Sequence, residues 1–298
     1  MAGRAAVVTR PSTVPAPVLV LLGIVSVQLG AGFAKKLFEE LPPSAVVTLR
    51  LATSTIVLVL IARPLLLVGA RAWRRTDLAV AAAFGLSLAT MNFAIYESFS
   101  RIPLGIAVTI EFLGPLGVAV AFSRRWLDLV WVALAATGVV LLMRGDSGSV
   151  TAAGVGFALL AAAAWAGYIL LSAETGRRFP GSSGLAIASV VATLLMLPVG
   201  VSTGGDDLLR PEVLLIGAAI GLLSSVIPYS FELEALRRMP AKVFGIFMSL
   251  EPVAAALVGL IVLGEVLDAR EWTAIGCVVV ACLGATRSQD APLEAPEA

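Results

Sequence analysis

The sequence contains no histidine and only two cysteines, and both absences limit its chemistry. Without histidine there is no Ser-His-Asp triad, no common zinc site and no histidine proton relay. The chain also lacks a Gly-x-Ser-x-Gly nucleophile motif. Cys277 and Cys282 lie five residues apart on one apolar stretch, and therefore on different helix faces. We interpret them as core residues rather than a disulfide or a metal pair, and we expect no enzyme and no metal site.

Charged residues are also scarce, at 14% of the 298 positions, against about 25% in a soluble domain. Hydrophobic residues make up 59%, and the mean hydropathy is +0.98. Apolar runs of about 20 residues, the length that crosses a bilayer, recur along the chain. The net charge of +1 gives no indication of a nucleic-acid partner. The sequence predicts an all-α integral membrane protein with ten transmembrane helices near 15–34, 43–62, 77–97, 104–122, 128–143, 152–173, 183–201, 211–236, 241–263 and 270–287.

The distribution of Lys and Arg predicts the orientation, because cytoplasmic segments carry an excess of cations. With the N-terminus inside, fourteen cations fall inside, six fall outside and Arg50 lies within a span. We therefore predict both termini in the cytoplasm, with tails at 1–14 and 288–298, the second disordered. The first apolar run is longer than the core of a signal peptide, so we expect it to be retained.

An internal duplication divides the chain into two units. The stretch "ESFSRIP" (97–103) matches "EALRRMP" (234–240), and in both copies a second proline follows twelve residues after the first. Each unit, 15–148 and 149–287, holds five predicted spans. Because five is odd, the two units are expected to have opposite orientations, the inverted repeat typical of secondary transporters around a central cavity.

The duplicated motif contains a carboxylate and an arginine spaced i,i+4 at a helix end. These pairs are Glu97 with Arg101 and Glu234 with Arg238. Inversion would place one pair at each membrane surface. Two interpretations stay open: an interfacial ion pair, or a gate that contacts the substrate.

Two further carboxylates, Glu111 and Glu251, lie at membrane depth, where a charge costs roughly 3 kcal/mol or more. Each flanks the second proline of its unit. A proline lacks the N–H that the carbonyl four residues earlier would accept. Pro115 therefore frees the carbonyl of Glu111, and Pro252 frees that of Met248. A buried structural role and a cavity-lining substrate or proton site are both compatible with this pattern.

Arg50 matches Glu111 in depth, since the two lie seven and eight residues inward from Pro43 and Pro103. The pair could bind the two charges of an amino acid. With no histidine, proton coupling would be carried by carboxylates, and we assign it to Glu251 and Glu232. The remaining residues of the predicted substrate lining are polar or aromatic side chains in apolar surroundings: Gln28, Asn92, Tyr96, Trp165, Tyr168 and Tyr229.

Five stretches resemble the drug/metabolite transporter superfamily, EamA type, and its threonine/homoserine exporter branch. They are "SVQLGAGFAKKLF", "VTLRLA", "RIPLGIAVTIEFLGPLGVA", "AWAGYILLSAETGRR" and "MPAKVFGIFMSLEPVAAALVGLIVLGE". The resemblance covers roughly residues 15–287. It implies a ten-helix inner-membrane carrier that exports small amino acids, is driven by the proton gradient and needs no organic cofactor.

The sequence thus favours a small-molecule exporter, with an amino acid and protons as its partners. An exporter of a purine, a drug or an aromatic amino acid is the alternative on the same fold, and a membrane receptor or scaffold is the alternative outside transport. Aromatic residues are only 7% of the chain, which favours small zwitterions. Spans 5 and 10 carry almost no polar residue, so they are expected to face lipid or to form a homodimer.

Overall fold

The computed structural model describes four stretches of the chain, and their regular structure is helical throughout: 14–69, 73–122, 126–143 and 150–288. The two predicted tails, 1–14 and 288–298, lie almost entirely outside the described residues.

The helices of the first half are α1 (Ala16–Leu37), α2 (Pro43–Gly69), α3 (Arg75–Phe99), α4 (Leu104–Glu111), α5 (Leu113–Ala121) and α6 (Leu127–Met143). Those of the second half are α7 (Ala152–Arg178), α8 (Ser183–Gly204), α9 (Pro211–Gly221), α10 (Ile227–Leu236), α11 (Ala241–Met248), α12 (Glu251–Val258) and α13 (Ala269–Ser288). Three short segments join or extend them: a 3-10 turn at Gly205–Leu209 and π-helical turns at Leu222–Val226 and Gly259–Leu263.

Nine helices or continuous helix pairs in the described part of the chain are long and apolar enough to cross a membrane. They match nine of the ten predicted spans. The remaining span, predicted at 128–143, is the helix α6, whose apolar part Asp128–Met143 is shorter than the others. Large apolar side chains face outward from several spans; Leu60, Leu215 and Ile261 are each more than 60% exposed. The chain is therefore a multi-pass membrane protein.

Prolines determine where the two broken spans begin and where they break. α4 and α11 follow Pro103 and Pro240 directly, and each is eight residues long. α4 ends at Glu111, four residues before Pro115, and α11 ends at Met248, four residues before Pro252. Because each second proline has no N–H to donate, the helix stops at the carbonyl that would have accepted it.

The two halves interleave, so that most of the large helix contacts join one half to the other. α3 packs on α7 and α8, and α1 packs on α10 with its adjoining π-helical turn. α2 packs on α8, α4 on α12, and α6 on α13. The predicted lipid-facing spans 5 and 10 are α6 and α13, which pack on each other. Cys277 and Cys282 of α13 are free thiols, as expected.

The contact between α4 and α12 depends on glycine at position 105, which has no side chain. A Cβ on Gly105 would lie 2.6 Å from both Cα and Cβ of Ala256, well inside van der Waals contact. Small residues let helix backbones approach closely in membranes, where packing drives association. The two broken spans therefore cross at this point, which fixes the positions of Glu111 and Glu251 relative to each other.

Candidate functional site

A cavity of about 330 Å³ lies among α1, α2, α3, α7, α8, the π-helical turn with α10, and the two broken spans α4–α5 and α11–α12. Nine of the ten side chains predicted for substrate or proton binding line it: Gln28, Arg50, Asn92, Glu111, Trp165, Tyr168, Tyr229, Glu232 and Glu251. The sequence-based expectation of one polar site built from distant spans thus corresponds to a single cavity.

The lining residues come in pairs at a constant separation. Glu97 and Glu234, in the duplicated motif, are 137 positions apart. Seven pairs of lining residues have the same separation: Gln28/Trp165, Ala31/Tyr168, Leu88/Ser225, Met91/Pro228, Asn92/Tyr229, Ile95/Glu232 and Glu111/Met248. The positions are therefore shared between the halves, but the side chains are not, so the cavity wall is chemically different on its two sides.

The three carboxylates of the cavity have different environments. Glu251, the first residue of α12, is 8% exposed and accepts a 2.9 Å hydrogen bond from the Gln28 amide nitrogen. Glu111, at the end of α4, is half-buried, and within the described residues it makes no side-chain hydrogen bond. Glu232 is also half-buried and faces Gly23 of α1. Glu251 is thus held in place, whereas Glu111 is available to a ligand.

Arg50 is the one cation among the described residues that line the cavity. Its Nη2 donates to the main-chain oxygen of Ser224 at 3.3 Å, while its buried Nε has no partner. The guanidinium lies 5.4 Å from the centre of the Tyr96 ring. Among the described residues no ion pair within 4.0 Å joins Arg50 to Glu111, so the two residues that match in depth do not contact each other directly. Arg50 retains free N–H groups for an anion.

The Ser224 carbonyl, which Arg50 contacts, has no main-chain donor because of the proline that follows it. Pro228 cannot donate to the carbonyl of Ser224, four residues earlier. In the π-helical turn the N–H of Ile227 bonds to the oxygen of Leu222, which leaves the oxygen of Leu223 without its α-helical donor. The Ser26 hydroxyl of α1 donates to that oxygen at 2.8 Å. Side chains from α1 and α2 therefore supply the hydrogen bonds that this turn gives up at membrane depth.

Tyr96 does not line the cavity, contrary to the expectation for it. It is fully buried, and its ring packs on Phe38 and Phe99 at centroid distances of 5.9 and 5.6 Å. Helical spacing placed it on the same face as Asn92, but the ring lies under Arg50 and belongs to the buried hydrophobic core.

The two ion pairs of the duplicated motif form as predicted. Arg101 Nη1 lies 2.5 Å from a Glu97 carboxylate oxygen, and Arg238 contacts Glu234. None of the four side chains lines the cavity. These contacts favour the interfacial interpretation over direct contact with a substrate.

A third ion pair joins the two halves outside the lining of the cavity. Lys35, at the end of α1, lies 2.6 Å from Glu265 and donates to the carbonyl of Ile102 at 2.7 Å. The other oxygen of Glu265 accepts from the first N–H of α4, on Leu104, at 2.8 Å. These contacts link the end of α1 and the start of α4 in the first half to Glu265 in the second.

The cavity extends beside Tyr229. Tyr229 is 42% exposed, and a second cavity of about 190 Å³ continues from the first. The two cavities share Tyr168, Leu185 and Tyr229. Tyr168 packs on Phe84 at 4.9 Å. The second cavity extends to the residues where α7 stops and α8 begins.

Sequence reasoning missed Lys35 and Glu265, and it missed the serines of the π-helical turn. A signal for the turn existed, because the rule applied to Pro115 and Pro252 also applies to Pro228 and identifies the Ser224 carbonyl. Lys35 and Glu265 are 230 positions apart and match no local pattern.

Comparison with known proteins identifies relatives along almost the whole chain. A model of the EamA-like transporter family matches residues 152–287. The chain is 40% identical over 281 residues to the threonine/homoserine exporter RhtA of Salmonella typhimurium (strain SL1344), covering 93% of this chain and 94% of that protein. It is also 40% identical to RhtA of Escherichia coli (strain K12), with 90% of each chain covered. A crystal structure at 16% identity covers 91% of this chain and 96% of its own, with a TM-score of 0.61, which shows a shared fold.

Proposed function

This chain belongs to the EamA-like transporter family, and from that premise we propose that it exports small neutral amino acids of the threonine and homoserine type. The observation that carries the proposal is a cavity that presents both signs of charge, Arg50 on one side and Glu111 on another. A zwitterion needs a donor for its carboxylate and an acceptor for its ammonium, and both interactions are strengthened where water is scarce. The volume of about 330 Å³ is at the small end of ligand pockets.

We assign the carboxylate of the substrate to Arg50 and the ammonium to Glu111. Asn92 and Gln28 complete the polar wall, and Trp165, Tyr168 and Tyr229 form the aromatic wall. Glu251 carries the proton, assisted by Glu232. This division is supported by the hydrogen bond that already occupies Glu251 and by the absence of such a bond on Glu111 in the described part of the chain.

The architecture that fits this function has ten spans in two inverted five-helix repeats, 15–148 and 149–287. Two observations support it. Seven pairs of lining residues share the 137-residue separation. The close approach of Gly30 to Ser224 also has a counterpart 137 positions away, where Gly167 approaches Ser87.

Transport would proceed by alternating access in the inner membrane. With both termini in the cytoplasm, the Lys35–Glu265 pair lies at the outer surface and the Tyr168–Tyr229 end faces inward. The described conformation is then open to the cytoplasm, ready to load substrate for export. Release requires the Lys35–Glu265 pair to separate.

We expect accessibility labelling to find both termini inside. In a variant with Cys277 and Cys282 replaced by alanine, a cysteine at Arg74 should be protected from an impermeant maleimide added to intact cells. A cysteine at Asp206 should be labelled. Both positions are exposed, so burial does not protect either. The reverse pattern would invert the topology and the assignment of the gates.

The function itself is tested by counterflow. Purified protein in liposomes preloaded with threonine should accumulate labelled threonine and homoserine, and protein-free liposomes should not. Aromatic amino acids belong in the same panel, because Trp165, Tyr168 and Tyr229 line one wall and favour a bulkier substrate as the second candidate. Exchange of phenylalanine but not threonine would contradict the proposed substrate and identify the protein as an exporter of aromatic amino acids.

A further inference from the structure

The serines that line the cavity differ in how their hydroxyl groups are used; they are Ser54, Ser189, Ser224, Ser225 and Ser230. Ser54 donates to the carbonyl of Arg50 at 2.9 Å, and Ser230 donates to that of Val226 at 2.7 Å. Both are bonds to the residue four positions earlier, the usual arrangement for serine inside a helix. The hydroxyls of Ser189, Ser224 and Ser225 make no hydrogen bond to any of the described residues. Ser189 and Ser224 are buried, and the Ser224 hydroxyl packs against Gly30, whereas Ser225 is only half-buried. A free hydroxyl at membrane depth is therefore available to a ligand.

The backbone explains why Ser225 differs. It lies within the π-helical turn Leu222–Val226, whose wider spacing displaces the carbonyls to which an α-helical serine would bond. π-Turns inside α-helices are frequent at functional sites. The position 137 residues earlier, Leu88, lies in the unbroken helix α3 and also lines the cavity. Ser225 therefore presents a hydroxyl at the position where the other half presents an apolar side chain.

Ser225 is also the neighbour of the residue that holds Arg50. The guanidinium donates to the carbonyl of Ser224, and adjacent Cα atoms are about 3.8 Å apart. A small amino acid whose carboxylate binds Arg50 would therefore place its side chain next to this turn. In threonine and homoserine that side chain ends in a hydroxyl.

We propose that Ser225 is a specificity-determining residue, whose hydroxyl hydrogen-bonds the side-chain hydroxyl of the substrate. The proposal rests on the proposed export of small neutral amino acids and refines it. Discrimination arises because valine, which has the shape of threonine without the hydroxyl, would leave Ser225 unbonded in a cavity with little water.

The test is competitive counterflow with threonine and valine on the full chain in liposomes. We expect the wild-type protein to prefer threonine, and Ser225→Ala to reduce that preference roughly 3- to 10-fold, the value of one neutral hydrogen bond. Valine exchange should be retained, which shows that the variant is folded. Ser54→Ala and Ser230→Ala are matched controls, because their hydroxyls are occupied by their own helices, and they should leave the ratio unchanged.

The outcomes separate the two proposals. A wild-type preference for threonine that Ser225→Ala leaves intact would overturn the role of Ser225 while the exporter assignment stands. Equal wild-type exchange of threonine and valine would also overturn it, since there would be no hydroxyl selectivity to explain. If the wild-type protein exchanged neither amino acid, the proposed function would fail first.

Discussion

Glu111→Gln is expected to abolish binding of threonine, weakening its Kd by at least 30-fold. The neutral amide keeps the shape of the side chain but removes the charge that the substrate ammonium needs. Charge-assisted hydrogen bonds contribute about 1.5–3 kcal/mol, and more where a charge is left unpaired in a desolvated cavity. Equilibrium binding of labelled threonine to the purified protein measures the effect directly.

Two further variants make this result specific. Glu251→Gln should retain threonine binding and exchange but lose accumulation driven by a pH gradient, because the amide cannot release a proton. Glu39→Gln, on the exposed surface at the end of α1, should alter neither property. Normal transport by Glu111→Gln would reduce that carboxylate to a structural role. Normal gradient-driven accumulation by Glu251→Gln would show that Glu251 does not carry the coupled proton.

Arg50→Gln is expected to lose both transport and stability, since Arg50 has two separate tasks. Losing the guanidinium removes the carboxylate anchor, which we expect to weaken threonine binding by 30-fold or more, about 2–5 kcal/mol. It also leaves the Ser224 carbonyl without its donor, at a further cost of about 1–3 kcal/mol in stability. Thermal unfolding in detergent and threonine binding measure the two effects independently.

The hydrogen bond to the Ser224 carbonyl can be restored without restoring the anchor for the substrate carboxylate. Pro228→Ala supplies the N–H that the Ser224 carbonyl lacks, so Arg50→Gln combined with Pro228→Ala should recover most of the lost melting temperature and none of the binding. Pro198→Ala is the matched control. Pro198 also lies inside a helix, α8, but its side chain is exposed and does not line the cavity. Equal recovery by both proline variants would contradict the link between Arg50 and Pro228.

Features that depend on neighbouring residues in the chain could be predicted from the sequence. The Glu97–Arg101 and Glu234–Arg238 pairs are set by helical spacing. The breaks at Glu111 and Met248 are set by prolines four residues later. The depth of Glu111 and Arg50 along their helices follows from the rise per residue, and both side chains reach the same cavity.

Features that depend on the rotation of helices about their axes and on tertiary packing could not be predicted from the sequence. Depth along two helices does not give the angle between their side chains, so Arg50 binds a carbonyl of a different span rather than Glu111. Tyr96 shares a face with Asn92, yet it lies buried against Phe38 and Phe99. Composition was also a poor guide to the cavity. Aromatic residues are scarce overall, but Phe99, Trp165, Tyr168 and Tyr229 all line the cavity.

The long-range bonds of α1 have a consequence for biosynthesis. Gln28 bonds to Glu251 across 223 positions, and Ser26 bonds to Leu223 across 197. At about 5–20 residues per second the ribosome needs roughly 10–45 s after making Gln28 to reach its partner, Glu251. During that interval the first helix waits in the bilayer with a polar amide unsatisfied. A chain that terminates before Glu251 therefore lacks the partner of Gln28 and leaves that amide without its hydrogen bond in the bilayer.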